Sequence, residues 1–270
     1  MIPKIIHYCW LSNDSMPEES VRYIDCWRRL LPDYQFILWN RDNFDIDSVP
    51  WVKESFEQKK YAFAADYIRL FAVCNYGGFY LDTDIELKKS FNSLLDRNLI
   101  IGYENAQKKG VEAGCFGAEP GNQFIRNCLS YYENRHFIKN DEGDCDTRTL
   151  PSIMSSYITP EIKEHIFSYD FFTAKNHETG VIEESSNTYA IHHFAGSWLS
   201  DFEKDIVSMT FRIHKFLGDN LFSKIVFVAG MFILRVKSFG IKKTLSYYRR
   251  QYFTTKKNAL EPIVSFFRDK

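Results

Sequence analysis

The sequence predicts an α/β domain with a basic helical extension at its C-terminal end. Three observations support this prediction. A strand, a helix and a second strand follow one another at the start of the chain, and a long apolar helix later leads through two glycines into another buried strand. Beyond about residue 205 the composition changes to a mixture of bulky apolar and basic side chains. Alternating strands and helices are typical of α/β folds, and 270 residues suffice for one sizeable domain with an appendage.

The first two strands and the helix between them are indicated by hydrophobic patterning. The run "KIIHYCW" (4–10) predicts a short buried strand, and "YQFILWN" (34–40) predicts a second one. Between them, residues 17–34 place apolar side chains at helical spacing, with Pro17 at the start and Pro32 as a stop. The order strand, helix, strand is the expected opening of an α/β domain.

The central segment is predicted as helix followed by strand. Residues 51–78 indicate one or two helices that end at Gly77 and Gly78, because glycine adopts the left-handed conformation that closes a helix. The run "FYLDTDIEL" (79–87) then predicts a strand. Further strands are predicted within 99–105, 112–119 and 186–198, and further helices within 122–135 and 149–158.

The last quarter of the chain differs in charge from the rest. Residues 206–270 contain 13 Lys/Arg and 3 Asp/Glu, a charge of +10, whereas residues 1–205 carry −11. The two parts therefore face different partners, and we predict one main domain over 1–205 and a basic amphipathic helical extension over 206–270. Its uninterrupted apolar run, Ile225–Leu234, has 10 residues, whereas a membrane span needs about 20. Such helices suit an anionic membrane surface, and a helical cap packed on the domain is the alternative.

An acidic pair, Asp82 and Asp84, follows the buried "GGFYL" strand with only Thr83 between them. The carboxyl ends of strands are the usual ligand edge of an α/β sheet. Side chains two apart in a strand share a side unless the chain turns there. Neighbouring carboxylates repel each other, and a hard divalent cation, Mn²⁺ or Mg²⁺, removes the repulsion. The pair therefore predicts a cation site that holds a substrate phosphate, with a solvated turn as the alternative.

A second charged pair lies on the helix that precedes the strand. Asp66 and Arg69 are three residues apart and share a helix face. Their surroundings, "YAFAADYIRLFAVCNY", are apolar nearly all round, which predicts a buried helix whose charges are paired or hold a ligand.

A third patch, "IHHFAGSW" (191–198), follows a predicted strand. His193 is a candidate ligand for the same cation. Ser197 and Trp198 suit a loop that closes over a diphosphate. Glu104, at the end of the strand predicted within 99–105, is a further candidate cleft carboxylate.

These patches give the sequence a resemblance to a known family. With "IPKIIHYCWLS" (2–12), "KKYAFAADYIRLFAVCNYGGFYLDTDIEL" (59–87) and "YAIHHFAGSW" (189–198), it resembles glycosyltransferase family 32, which has a D-x-D sugar-binding region. That family includes capsular polysaccharide synthesis enzymes and yeast mannosyltransferases. The sequence is also distantly similar to the glucosylating domain of large clostridial toxins. The motifs cover residues 1 to about 200.

The resemblance implies a GT-A fold, a metal-dependent reaction and retention at the anomeric carbon. It also implies roles for named residues. The nucleoside would lie beside His7, Tyr8, Cys9 and Trp10. The donor sugar would be held by Asp66, Arg69 and Asp82, the cation by Asp82, Asp84 and His193, and the diphosphate by Ser197 and Trp198.

The function expected from these features is transfer of a hexose from a nucleotide sugar, most simply a UDP-hexose, to a glycan or polyprenyl-linked acceptor in surface polysaccharide biosynthesis. Scattered cysteines and the absence of a leader-like N-terminal run favour a cytoplasmic protein, peripheral on the inner membrane surface.

A catalytically silent nucleotide-sugar- or membrane-binding protein is the main alternative. A glycoside hydrolase needs carboxyls roughly 5–9.5 Å apart across the scissile bond, which a D-x-D pair is poorly placed to supply. No recognition motif supports nucleic-acid binding.

Overall fold

The computed structural model describes residues 1–138, 144–176, 179–196, 201–218 and 221–249. The chain divides into two compact units, residues 1–198 and residues 199–270.

The first unit is built on a five-stranded sheet. The strands are β1 (Ile5–Cys9), β2 (Gln35–Trp39), β3 (Gly78–Leu81), β4 (Ile85–Leu87), β5 (Leu99–Ile100), β6 (Cys115–Ala118) and β7 (Ala190–His192). The order in the sheet is β2-β1-β3-β6-β5, and β4 pairs with β7 in a separate two-stranded sheet. β1 is parallel to β2 and β3, whereas β6 is antiparallel to both β3 and β5. Within this mostly parallel sheet only β6 therefore runs against the other strands.

Helices occupy the connections between these strands and make up the described part of the second unit. They are α1 (Glu18–Leu30), α2 (Pro50–Glu57), α3 (Tyr61–Tyr76), α4 (Gln123–Ser130), α5 (Leu150–Ser156), α6 (Pro160–Lys163), α7 (Asp201–Leu217) and α8 (Leu221–Phe239). Residues 241–249 are also helical. The segment predicted as one or two helices before the central glycines forms two, α2 and α3.

The sheet of the first unit is covered on both faces. Phe79 and Leu81 of β3 point to one side, where they join a core cluster that includes Trp27 of α1. Tyr80, between them, points to the other side and joins a cluster formed with α2, α3, α4 and α5. This gives three layers, helix, sheet and helix, which is the α/β architecture expected of a GT-A type domain. The α/β class predicted for this part of the chain is confirmed.

The glycines after α3 make the close approach of β3 to β1 possible. Gly77 and Gly78 have φ angles of +64° and +97°, a region that favours glycine. A Cβ on Gly78 would lie 2.6 Å from the carbonyl oxygen of Ile5. The chain can therefore leave the helix and enter the sheet directly beside β1.

The predicted strand over 79–87 is interrupted. β3 ends at Leu81, and the amide of Ile85 donates to the carbonyl of Asp82 at 3.0 Å, which closes a tight turn. β4 then pairs with β7 instead of the main sheet. The turn places both acidic residues of the D-x-D at the end of β3.

The second unit is helical in its described residues. Arg235 of α8 lies over the ring of Tyr247 at 3.5 Å from the ring centroid, and Thr244 is buried. None of the described helices combines the length and hydrophobicity that a membrane-spanning segment requires.

Candidate active site

Asp82 and Asp84 come together at the turn that follows β3. Asp82 projects to the same side of the sheet as Tyr80, since the two are two residues apart, and the Tyr80 hydroxyl donates to Oδ1 of Asp82 at 2.9 Å. Asp84 reaches this place through the turn. The amide of Ala195 donates to its Oδ2 at 2.7 Å. The sequence prediction that the pair shares one site therefore agrees with the geometry.

His192 completes a group of potential metal ligands. It lies opposite Ile85 in the pairing of β7 with β4, and its Nε2 is 3.5 Å from Oδ1 of Asp84. In the described part of the chain, Asp82, Asp84 and His192 each offer one ligand atom, and these atoms lie within 4.8 Å of one another. Two carboxylate oxygens and one imidazole nitrogen suit Mn²⁺ or Mg²⁺, with Mn²⁺ the better match for the nitrogen. The residues present fit a divalent cation.

Arg69 connects helix α3 to this group. Its Nη1 donates to Oδ2 of Asp82 at 3.1 Å and to the carbonyl of Ala113 at 2.9 Å. Its Nη2 lies 3.4 Å from Oδ1 of Asp66, one helical turn earlier. Both Asp66 and Arg69 are buried. A buried charge is stable only when it is paired. Two carboxylates and a carbonyl contact the guanidinium of Arg69, which balances its charge and fixes its orientation. The predicted buried helix with paired charges is what the structure shows.

Glu112 was not identified from the sequence, yet it belongs to the same network. Its side chain is 1% exposed, and its Oε1 and Oε2 lie 2.9 and 3.0 Å from Nδ1 of His192. The amide of Gly114 donates to Oε1 at 2.6 Å, and the Thr173 hydroxyl donates to Oε2 at 2.8 Å. The only signal in the sequence is an acidic residue inside the apolar run "GVEAGCFGA" (110–118).

The pKa values of Asp82 and Asp84 shift in opposite directions. Burial raises the pKa of Asp82 above its usual range, although Arg69 opposes the shift. Burial also acts to raise the pKa of Asp84, but the charge of His192 outweighs it and holds that pKa well below its usual range. Burial disfavours the charged form of His192, but Glu112 and Asp84 more than compensate and raise its pKa well above the ordinary value. His192 is therefore the positive partner of two carboxylates, and a cation bound here takes the place of its Nε2 proton.

His193 does not join the metal-ligand group that the sequence predicted for it. Its Nε2 lies 2.9 Å from Oε2 of Glu86, and its ring stacks on Tyr23 with centroids 5.1 Å apart. The reason is the alternation of side chains along an extended chain: His192 points towards the D-x-D turn, so the next residue points away. The geometry replaces His193 by His192 in the ligand set.

His7 and Tyr8 are core residues rather than ligand contacts. His7 is 0% exposed, its Nδ1 accepts from the Trp39 indole at 3.1 Å, and its Nε2 donates to the Gly77 carbonyl at 2.8 Å. Burial lowers its pKa to about 4. Tyr8 points to the opposite side of the sheet, where it packs edge to face on Trp27. Neither side chain is free to lie beside a nucleoside, because both fill the layers next to β1.

Cys9 is the last residue of β1, and Trp10 follows it. Cys9 is buried, and burial raises the pKa of its thiol to about 12, so it is a neutral packing residue. Trp10 is half-buried, and its indole N–H donates to the Asp14 carbonyl at 2.8 Å. Of the four residues predicted beside the nucleoside, Trp10 is the one with a partly exposed aromatic face.

Two predicted contacts lie outside the described residues, namely Ser197 and Trp198. Glu104 is described and half-buried. Burial, with a further contribution from the charge of Glu112, raises its pKa to about 7.

The comparisons with known proteins bear on the segment that holds most of these residues. Residues 17–101 match the family described as "Glycosyltransferase sugar-binding region containing DXD motif". These residues are therefore similar to the sugar-binding region of DXD-type glycosyltransferases. The region includes Asp66, Arg69, Asp82 and Asp84, whereas Glu112 and His192 lie beyond it. The resemblance predicted from the sequence is thereby confirmed.

Characterised relatives of the sugar-binding region are glycosyltransferases. The chain is 30% identical over 144 residues to "Inositol phosphoceramide mannosyltransferase 3" of Schizosaccharomyces pombe, covering 50% of this chain and 40% of that protein. It is 31% identical over 144 residues to "Mannosyl phosphorylinositol ceramide synthase CSH1" of Saccharomyces cerevisiae, covering 52% of this chain and 37% of the relative. The similarity thus spans about two fifths of the length of these relatives.

Solved structures with some likeness to the chain include "PaToxG Glycosyltransferase", which has a TM-score of 0.47 and 17% identity, covering 60% of this chain and 70% of that chain. A second is a glycosyltransferase involved in the glycosylation of the major capsid of PBCV-1, with a TM-score of 0.44 and 10% identity, covering 72% and 95% respectively.

Proposed function

We propose that this protein is a metal-dependent, retaining glycosyltransferase that moves a hexose from a nucleotide sugar, a UDP-hexose, to a glycan or lipid-linked glycan acceptor. The observation that carries the proposal is the group formed by Asp82, Asp84 and His192 beside the buried Arg69. A cation held by the three ligand residues would bind a diphosphate, and the fixed arginine beside it would bind a sugar. A nucleotide sugar contains both parts.

In this mechanism the chain positions the donor. Nη1 of Arg69 is held by Asp82 and the Ala113 carbonyl, and its Nε by the Ala65 carbonyl, so Nη2, beside Asp66, is the group oriented for a sugar hydroxyl. Asp66 is a buried acceptor beside it, and burial raises its pKa to about 7. Fixing the sugar in this way turns its anomeric carbon towards the acceptor hydroxyl, and such positioning contributes much of the rate in transfer reactions.

Asp82, Asp84 and His192 would hold the cation, and the Ala195 amide keeps the Asp84 carboxylate oriented. When bound, Mn²⁺ or Mg²⁺ would neutralise the negative charge that develops on the departing diphosphate. His192 replaces His193 in this proposal because it is the histidine that faces the two aspartates.

The two yeast relatives are named for mannosyl transfer involving an inositol-containing ceramide lipid. Their names support a hexosyl donor, and the test therefore includes a mannosyl donor. We place the reaction in surface polysaccharide biosynthesis, with an acceptor carried on a polyprenyl lipid.

The test is release of nucleoside diphosphate by the purified full chain. UDP-glucose, UDP-galactose, their N-acetyl forms and GDP-mannose are each supplied with Mn²⁺ or with EDTA. We expect turnover of at least one donor, its loss in EDTA, and a loss of about 100-fold or more in Asp84→Ala. Glu86→Gln, two residues along the chain, is the control that retains activity. Turnover unaffected by EDTA contradicts the proposal, and donor binding without any turnover supports the silent binding protein instead.

We also propose that the second unit attaches the protein to the cytoplasmic face of an anionic membrane. On α8, Phe222, Ile225, Val228, Phe232 and Ile233 are all exposed, and their spacing places them on one helix face. Lys237, Lys242 and Lys243 are exposed nearby in the chain. An uncovered apolar face with basic residues is suited to insertion among anionic headgroups.

Sedimentation of the full chain with vesicles tests this attachment. We expect binding to vesicles containing phosphatidylglycerol, weaker binding to phosphatidylcholine, and loss of binding when Ile225 and Ile233 are both replaced by Ser. Val181→Ser, an exposed apolar position in the first unit, is the matched control. Equal binding by the double variant contradicts the proposal, and a concentration-dependent dimer that the same double variant abolishes assigns the face to a second copy instead.

A further inference from the structure

The geometry points to Glu112 as the positioning residue that orients His192 towards the cation proposed above. Within the site, its hydrogen bonds run to Nδ1 of His192. It acts through the imidazole, and the inference rests on the proposed metal site.

The first step is the burial of Glu112. A carboxylate that is 1% exposed is costly unless each oxygen has donors, and here both oxygens do. Gly114 supplies an amide at 2.6 Å to Oε1, and Thr173 supplies a hydroxyl at 2.8 Å to Oε2. These two contacts come from different segments of the chain, so the carboxylate is fixed before His192 is considered.

The second step is what this fixed carboxylate does to the imidazole. Both of its oxygens face Nδ1 of His192, at 2.9 and 3.0 Å, so Nδ1 carries a proton and donates it. Nε2 is then the nitrogen whose lone pair is available to a cation, and it is the atom that lies 3.5 Å from Asp84. Ligating histidines characteristically donate their second N–H to a carboxylate, which fixes the tautomer and the ring orientation.

The third step concerns the main chain of His192. The amide of His192 donates to the carbonyl of Thr173 at 3.0 Å, so the residue that holds Glu112 also holds the main chain of His192. Thr173 is 0% exposed. Thr173, Glu112 and His192 thus hold one another through hydrogen bonds that can set the angle of the imidazole.

The adjacent histidine provides a matched comparison. His193 makes a carboxylate contact of the same length, 2.9 Å to Glu86, but on the side away from the aspartates. Removing the Glu86 charge alters a histidine–carboxylate pair one residue along the chain without touching the proposed ligand set. Any general effect of losing such a pair near β7 therefore appears in both variants.

The experiment measures the dissociation constant for Mn²⁺ alone, by electron paramagnetic resonance of the free ion, in the full-length protein without donor. We expect Glu112→Gln to weaken Mn²⁺ binding by about 10–100-fold. Glu86→Gln should bind Mn²⁺ as the parent protein does. Thr173→Val, which removes the hydroxyl contacts with Glu112 and with the Tyr103 carbonyl, should weaken binding to a smaller extent, and Thr173→Ser should restore it.

A double-mutant cycle separates positioning from simple loss of a nearby negative charge. In a His192→Ala background, Glu112→Gln should change the Mn²⁺ dissociation constant less than about two-fold if Glu112 acts through the imidazole. A full 10-fold or larger effect in that background overturns the inference, as does unchanged binding by Glu112→Gln alone. If Glu112→Gln does not fold, the pair Thr173→Val and Thr173→Ser decides, and identical binding by these two overturns the inference.

The outcome for the parent protein distinguishes this inference from the proposed function. If the parent binds Mn²⁺ and Asp84→Ala does not, the metal site stands and only the role of Glu112 is at issue. If the parent shows no Mn²⁺ binding, both the metal-dependent function and the positioning role are overturned.

Discussion

The amide of Asp82 donates a hydrogen bond of 2.7 Å to the carbonyl oxygen of Gly114, which ties the end of β3 to the residue just before β6. Gly114 is also crowded by the site itself. A Cβ at this position would lie 2.8 Å from Oδ2 of Asp82, 2.8 Å from Cε1 of His192 and 3.0 Å from Oε1 of Glu112. The absence of a side chain at Gly114 is therefore what allows these three groups to meet.

Gly114→Ala should disturb the site more than the fold. We expect a loss of at least about 10-fold in Mn²⁺ affinity, because the added methyl group pushes ligand and positioning residues apart. The free energy of unfolding should fall by about 1–3 kcal/mol. Gly117→Ala is the control, since its methyl group would meet the ring of Phe79 at 2.5 Å in the core instead. It should lower stability without a specific loss of Mn²⁺ affinity, and equal Mn²⁺ binding by Gly114→Ala and the parent protein contradicts the prediction.

Arg69→Met should be strongly destabilising. The substitution leaves Asp66 and Asp82 without their shared counter-charge in a buried setting, which typically costs about 3–5 kcal/mol. Lys53→Met provides the contrast, because its contact with Asp47 is exposed and such pairs contribute about 0–1 kcal/mol. Urea unfolding at pH 7 measures both. A loss below about 1 kcal/mol in Arg69→Met would show that the buried charges find other partners.

The parts of the fold that the sequence predicted well are those with strong local signals. The two N-terminal strands, α3 and its glycine stop follow from apolar periodicity and from the conformational demand at Gly77. The break between β3 and β4 was not predicted, because the pairing of β4 with β7 joins segments about 105 residues apart and leaves no local trace. Asp84 is therefore placed by a turn rather than by strand alternation.

The site residues divide in the same way. Asp66, Arg69, Asp82 and Asp84 were found because each pair has a recognisable spacing. The choice between His192 and His193 depends on which of two neighbours faces the turn, and that is set by the register with β4. Glu112 lies in no motif, and the role proposed for it depends on contacts with Thr173 and His192, which are 61 and 80 residues away along the chain.

Glu104→Gln should stabilise the protein at alkaline pH. Burial, and then the charge of Glu112, raises the Glu104 pKa from 4.5 to about 7, so the folded state holds this proton more tightly than the unfolded state does. Stability is then lost as pH rises from about 4.5 through 7. The amide cannot ionise, so the variant should match the parent near pH 4.5 and exceed it by roughly 1–3 kcal/mol at pH 8. Glu164→Gln, at an exposed position, is the control. The prediction fails if the difference between Glu104→Gln and the parent does not grow with pH.

Acidification should weaken the fold through His7. Its pKa falls from 6.5 to about 4 on folding because the ring is buried, so below pH 6.5 the unfolded state binds a proton that the folded state does not. Stability is therefore lost as pH falls from 6.5 towards 4, by up to about 3 kcal/mol from this residue.

The free energy of unfolding of the parent at pH 7 and pH 5, compared with that of His7→Gln, isolates the effect. The variant is expected to be less stable at pH 7, since Gly77 and Trp39 lose well-placed partners, but to lose less further stability on acidification. His165→Gln, at an exposed position, should keep the parent's pH dependence. An unchanged slope in His7→Gln would mean that other buried groups govern the acid sensitivity.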